Sequence, residues 1–251
     1  MKFRHSIRNS QSFLFSAKES DEAYYDVAYE LTKKLFIGMA KHALAFNSTK
    51  YDIYEPPFVF RERQLDTLIM LVLVSLCKGL AFAEYPMTRN SKKKGLEIEN
   101  SQGRIDYWCI YKDYSVVIEV KHSYDNFETP CTNDERLLQR WRTMNIVQLG
   151  NVKDEIKHFE EKTKGVIRLG LHFVTSHSST NPSDNIRETY ISQERVMLDR
   201  LYKDLKTVSP DFMSVWEMDK DMVYYDNDRA YPGLIVIAKF FKDIKHKGSE
   251  D

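Results

Sequence analysis

The sequence predicts an α/β fold with a central mixed β-sheet flanked by helices, and three features predict it. Two helical patterns occupy 21–47 and 60–78, strand-like runs follow at 80–87, 103–111 and 116–121, and a long helical stretch at 133–162 leads into an apolar strand at 166–175. Helix, three strands, helix, strand is the order expected when helices pack on both faces of one sheet. A chain of 251 residues that is 42% hydrophobic can build one sizeable core with a helical appendage. The expected organisation is an N-terminal helical extension over 1–57 and one main unit over 58–251, without an internal repeat.

Each element has a local cause. Val27, Leu31, Leu35, Phe36, Met39, Ala43 and Phe46 recur at helical spacing. Pro56-Pro57 breaks the chain before the second helix. That helix begins polar, with Arg61, Glu62, Arg63, Gln64 and Asp66, and becomes apolar all round, which predicts burial in the middle of the fold. Gly79 permits its stop. The strands at 103–111 and 116–121 flank the short turn Lys112-Asp113-Tyr114-Ser115. The 133–162 helix has a potential break at Gly150, and a Ser/Asn/Pro loop at 177–187 precedes a helix near 190–206 and strands near 212–217 and 233–241.

Composition excludes several classes. Lys plus Arg and Asp plus Glu both number 37, so any polyanion binding must come from local patches. Cys77, Cys109 and Cys131 are odd in number and lack paired metal-ligand spacing, which fits a reducing compartment. Residues 1–18 lack the apolar core of a signal peptide, and the longest apolar run, 68–76, is too short to span a bilayer. A soluble cytoplasmic protein is expected.

The residues that carry chemistry lie on the 103–121 hairpin. Gly103-Arg104-Ile105-Asp106 is followed by Glu119-Val120-Lys121 at the end of the apolar run Val116-Val117-Ile118. With a two-residue turn at 113–114, Tyr111 sits opposite Val116, Trp108 opposite Glu119 and Asp106 opposite Lys121. Asp106, Trp108, Glu119 and Lys121 then share one face, with Val116, Ile118 and Val120 on the other. Two carboxylates, aided by the Val120 carbonyl, suit Mg²⁺, which takes oxygen ligands and commonly only one or two carboxylates. A lysine beside them can orient water or stabilise charge on a phosphoryl group. Charged residues at the end of an apolar strand are costly to bury without a purpose.

This constellation resembles the PD-(D/E)XK nuclease superfamily, the restriction-endonuclease-like fold, over roughly 58–175. The resemblance implies that Asp106 and Glu119 bind Mg²⁺, with Mn²⁺ able to substitute, and that Lys121 supports water activation. Ile105 stands where the family motif has proline. A glutamate on the preceding helix completes many such sites; Glu62 fits best, with Asp66 and Glu84 as alternatives. A Gln followed four residues later by Tyr marks some subfamilies; here Val152 follows Gln148, so that submotif is incomplete. The implied activity is a Mg²⁺-dependent endonuclease acting on DNA. The rival readings are an RNA-directed nuclease and a nucleic-acid-binding or assembly module that has lost catalysis.

Arg89, Lys92, Lys93 and Lys94 form the clearest basic cluster and are the candidate phosphate contacts, with Arg136, Arg140 and Arg142 as candidates to extend it. His122 is read as structural, pointing to the face opposite Lys121, and His172 and His177 are assigned no role. Double-strand cutting would favour a homodimer. Residues 1–50 carry no catalytic motif and are candidates for a helical accessory layer, a nucleic-acid contact or a dimer interface.

Overall fold

The computed structural model describes residues 2–8, 11–48, 50–60, 62–90, 100–129, 135–152, 162–219, 222–226 and 228–242. Strands β1 (Lys2–Arg8) and β2 (Gln11–Ala17) precede helix α1 (Ala23–Ala43). The two-residue strands β3 (Asn47–Ser48) and β4 (Ile53–Tyr54) lead to α2 (Glu62–Leu76). Strands β5 (Ala81–Asn90), β6 (Asn100–Tyr111) and β7 (Tyr114–Asn126) follow. Helix α3 (Glu135–Arg142) then runs into a π-helical segment, Thr143–Gln148, and a 3₁₀ turn, Leu149–Asn151. The chain continues through β8 (Val166–His177), α4 (Ile186–Asp204), β9 (Phe212–Glu217), β10 (Tyr224–Asp226), β11 (Arg229–Tyr231) and β12 (Gly233–Lys242).

Eight strands form one sheet in the order β1-β2-β9-β12-β8-β7-β6-β5. Neighbours are antiparallel except β7 and β8, which run parallel, so the sheet is mixed. Helices α1 and α2 cover one face; α3, the π-helical segment and α4 cover the other. Coverage on both faces explains the nearly unbroken apolar run of β8.

Two expectations are corrected. Residues 2–8 and 11–17 are not part of a helical extension but an antiparallel pair of strands that widens the sheet by two, through pairing of β2 with β9. Phe13, Leu14 and Phe15 are all buried: Phe13 and Phe15 join the core under α1, and Leu14 joins the opposite one. Three successive apolar residues can be buried together because β2 is an interior strand with both faces covered. Helix α2 is not buried all round. Its stripe Leu65, Leu68, Ile69, Val72 and Leu73 packs inward, whereas Leu71 and Val74 remain 49% and 43% exposed. As an outer-layer helix it has only one face to bury.

Candidate active site at the open edge of β7

The β6–β7 turn has Lys112 and Asp113 as its central pair, with φ of 48° and 66°. Two left-handed residues in succession make the hairpin turn whose twist matches that of the strands. Tyr111 therefore lies opposite Tyr114, and Trp108 opposite Val117, two residues from the pairing expected. A shift of two leaves residues 107–111 and 114–121 on their expected faces, but Ile105 and Tyr107 join cores on opposite faces, so the alternation that placed Asp106 beside Trp108 breaks between them. Trp108 accordingly meets Ser115, its Nε1–H donating to Oγ at 2.9 Å.

The shift decides where the pairing ends. The last rung between β6 and β7 is Tyr107–Ile118. Beyond it β7 continues along β8 to Asn126, while β6 stays with β5. The β5–β6 ladder skips the rung at Glu84 and Asp106, and Glu84 has a φ of 52°. A left-handed residue inside a strand kinks it at a cost of about 1–2 kcal/mol. This break leaves Asp106 free to turn into the notch between the diverging strands.

In a strand, alternate residues aim both N–H and C=O at the same neighbour. After Ile118, the residues that would address β6 are Val120 and His122. Charged side chains take the place of the missing strand. Val120 N–H donates to Asp106 Oδ2 at 2.7 Å, and the Val120 carbonyl accepts from Lys121 Nζ at 2.7 Å. His122 N–H donates to Glu62 Oε2 at 3.2 Å, and its carbonyl accepts from Arg140 Nη1. Carboxylates thus meet the donors and cations meet the acceptors, from α2 on one side of the sheet and α3 on the other.

The same groups are paired with one another. Lys121 Nζ lies 3.9 Å from Glu62 Oε1 and 3.9 Å from Asp106 Oδ2. The lysine is 18% exposed, and the two acids are 42% and 36% exposed, so the notch opens to solvent. Burial raises the Glu62 carboxyl above its ordinary value; Lys121 offsets this and Asp106 reinforces it. Oxygen atoms of two carboxylates and one carbonyl therefore surround a resident ammonium.

Glu119 directly precedes this set and is fully buried on the α3 side of β7. Its partner across the parallel ladder is Gly170. The π-helical segment presses onto that glycine: a Cβ there would lie 2.4 Å from Asn145 Oδ1 and 3.0 Å from Met144 Cε. Gly170→Ala is therefore expected to destabilise the fold by about 1–3 kcal/mol, through overpacking that displaces the wall above Glu119. Equilibrium urea unfolding measures this, and an unchanged midpoint would show that the wall yields freely. π-Helical turns recur at functional positions. Gln148 closes this one with its Oε1 buried and, among the described residues, without a hydrogen-bond partner.

The other predicted residues are placed as follows. Asp66 accepts a hydrogen bond from the Tyr107 hydroxyl, one helical turn from Glu62. Glu84 is 66% exposed and pairs with Arg104, which leaves Glu62 as the acid in the notch. Arg89 lies on β5 opposite Ser101, its side chain outside the described residues, as are Lys92, Lys93 and Lys94. His122 faces α1 and α2, its Nε2 2.9 Å from Thr175 Oγ1, which fits a structural role. Arg140 is the member that spacing alone did not bring to the site.

Among the described residues no three His, Cys, Asp or Glu side chains gather closely enough to hold a metal ion by themselves. Mg²⁺ needs fewer protein ligands than that, and the donors here are hard oxygens, which suit it. No helix among the described residues is long and apolar enough to cross a membrane. Cys77 and Cys109 are free thiols in the core, and Cys131 lies outside the described residues. Protein-family models, curated proteins and solved structures were compared with the chain, and none matches it.

Proposed function

We propose that this chain is a metal-dependent nuclease of the PD-(D/E)XK type that hydrolyses phosphodiester bonds in DNA. One observation carries the reading: Glu62, Asp106 and the Val120 carbonyl converge on a positive charge at the open edge of β7. A divalent cation would be held by Asp106, Glu62 and the Val120 carbonyl, and Mg²⁺ or Mn²⁺ there would supply a Lewis acid and a water of lowered pKa. Lys121 contributes an ammonium beside the acids that can hold a water near phosphorus and neutralise charge on the phosphoryl oxygens. Glu62 keeps its place through the His122 N–H, and Asp106 through that of Val120. The two acids are thus oriented before any ligand arrives, so little orientation is left to be lost at the reaction.

A second reading rests on the same hydrogen bonds. Each of the four charged groups satisfies a backbone donor or acceptor, which favours a strand-edge cap in a non-catalytic binding module. Assays on supercoiled plasmid, linear duplex, single-stranded DNA and RNA separate the two. The nuclease should cut at least one with Mg²⁺ or Mn²⁺ and none with EDTA. Intact substrates throughout, from a folded sample, would leave the cap.

A further inference from the structure

We infer that Arg140 is the phosphate-gripping residue of this site, its guanidinium contacting a non-bridging oxygen pair of the scissile phosphodiester. The inference rests on the nuclease reading above and deepens it. Arg140 lies in the last turn of α3 and is exposed to solvent. It is tethered by one hydrogen bond, from Nη1 to the His122 carbonyl, its only hydrogen-bond partner among the described residues. A guanidinium carries five N–H donors in a planar fork, so most of its donors remain available. Lys121, by contrast, already donates to the Val120 carbonyl and stands between two carboxylates. Of the two cations at the notch, Arg140 therefore keeps the more donors, about four against two, and is the one not already ion-paired with the acids.

Its placement suits a dianchored phosphate. Glu62 and Arg140 approach the same residue, His122, from opposite layers of the protein, one at its N–H and the other at its C=O. A phosphate at the open edge would thus have the acids on the α2 side and the guanidinium on the α3 side. The charge of Arg140 also reaches inward. It opposes the burial that raises Glu62, after Lys121, and adds to the burial that depresses His122. A planar fork matches two phosphate oxygens in a way an ammonium does not.

The test uses the full chain, a fluorescent DNA duplex of defined length and its single strand, with Ca²⁺ in place of Mg²⁺ so that binding is read without cleavage. Arg140→Gln should weaken binding roughly ten- to a hundredfold, the value of one charge-assisted phosphate contact. It should also flatten the plot of log Kd against log salt by about 0.9 for the duplex, or about 0.7 for the single strand, the loss of one neutralised phosphate. Arg140→Lys should restore most of that slope but not the rate of cleavage in Mg²⁺. It serves as the deciding variant if Arg140→Gln fails to fold. An unchanged slope and an unchanged cleavage rate in either folded variant would overturn the inference and leave the nuclease reading standing. A wild type that binds but never cuts, with the slope lost in Arg140→Gln, would support the phosphate contact and sink the nuclease. A wild type that neither binds nor cuts would sink both.

Discussion

Asp106→Asn is expected to lower cleavage by at least about a hundredfold while leaving the protein folded and close to wild-type stability. The asparagine oxygen can still accept from the Val120 N–H, so the bond that fixes the notch survives. What disappears is a negative charge beside Lys121 and Glu62, and with it the attraction for a cation. Asp106→Ala separates the two roles further. It removes the acceptor as well, leaves an edge N–H to solvent, and should cost up to about 1–3 kcal/mol of stability. For a chain of this size that is a fall in melting temperature of roughly 2–4 °C per kcal/mol. Glu62→Gln follows the same logic at the His122 N–H, with a retained hydrogen bond and a lost charge. If Asp106→Asn cuts plasmid at the wild-type rate, the acids serve only to cap the edge of β7.

Much of this architecture was legible because local periodicity and burial agree. The strand at 212–217 and those near 103–111, 166–175 and 233–241 stand where alternation and apolar runs place them, and the face shared by Trp108, Glu119 and Lys121 follows from the pleat. The N-terminal pair of strands was not legible. Its inner strand finds its partner at Phe212–Glu217, about two hundred residues away in sequence, and nothing local announces so distant a pairing. The register of the β6–β7 hairpin was missed by two because Lys112-Asp113 lacks the glycine that usually marks such a turn, although both residues adopt its left-handed backbone. Arg140 was legible only as an extension of the basic cluster, and its place beside the acids was hidden for a different reason. Its role depends on β6 leaving β7 at Ile118, so that a carbonyl on β7 needs a donor, and sequence spacing carries no record of where a ladder ends. The buried acid pair Glu194 and Glu217 was equally hidden, since each reads alone as an ordinary surface charge.

That pair gives the fold an unusual dependence on pH. Glu194 on α4 and Glu217 on β9 are buried at 3% and 4% exposure. Burial raises the Glu194 carboxyl from an ordinary 4.5 to about 8, and its hydrogen bond with Glu217 adds to the rise; Arg195 opposes it. At pH 6.5 the native protein holds a proton on Glu194 that the unfolded chain has released, so stability must fall as pH rises from 6.5 towards 8. Each unit is worth about 1.4 kcal/mol, and the interval therefore about 2 kcal/mol. On the acid side the histidines act in the opposite sense. Burial lowers His172 to about 3 and His122 to about 4, with the charge of Arg140 contributing to both. Both are neutral when native and charged when unfolded below an ordinary 6.5, so their contribution is complete above that value and is lost as pH falls. Between 6.5 and 4.5 two histidine protons outweigh the single one on Glu194, and stability declines again. The wild type should melt highest near pH 6.5 and several degrees lower at pH 8. Glu194→Gln retains a donor for Glu217 without a titrating group, so its melting temperature should no longer fall from pH 6.5 to 8, should rise slightly as the histidines of the unfolded chain lose their last protons, and should exceed that of the wild type at pH 8. Differential scanning calorimetry at half-unit intervals reads both curves. Parallel curves for the two proteins would mean that Glu194 is already ionised in the native state, with Arg195 supplying the compensation.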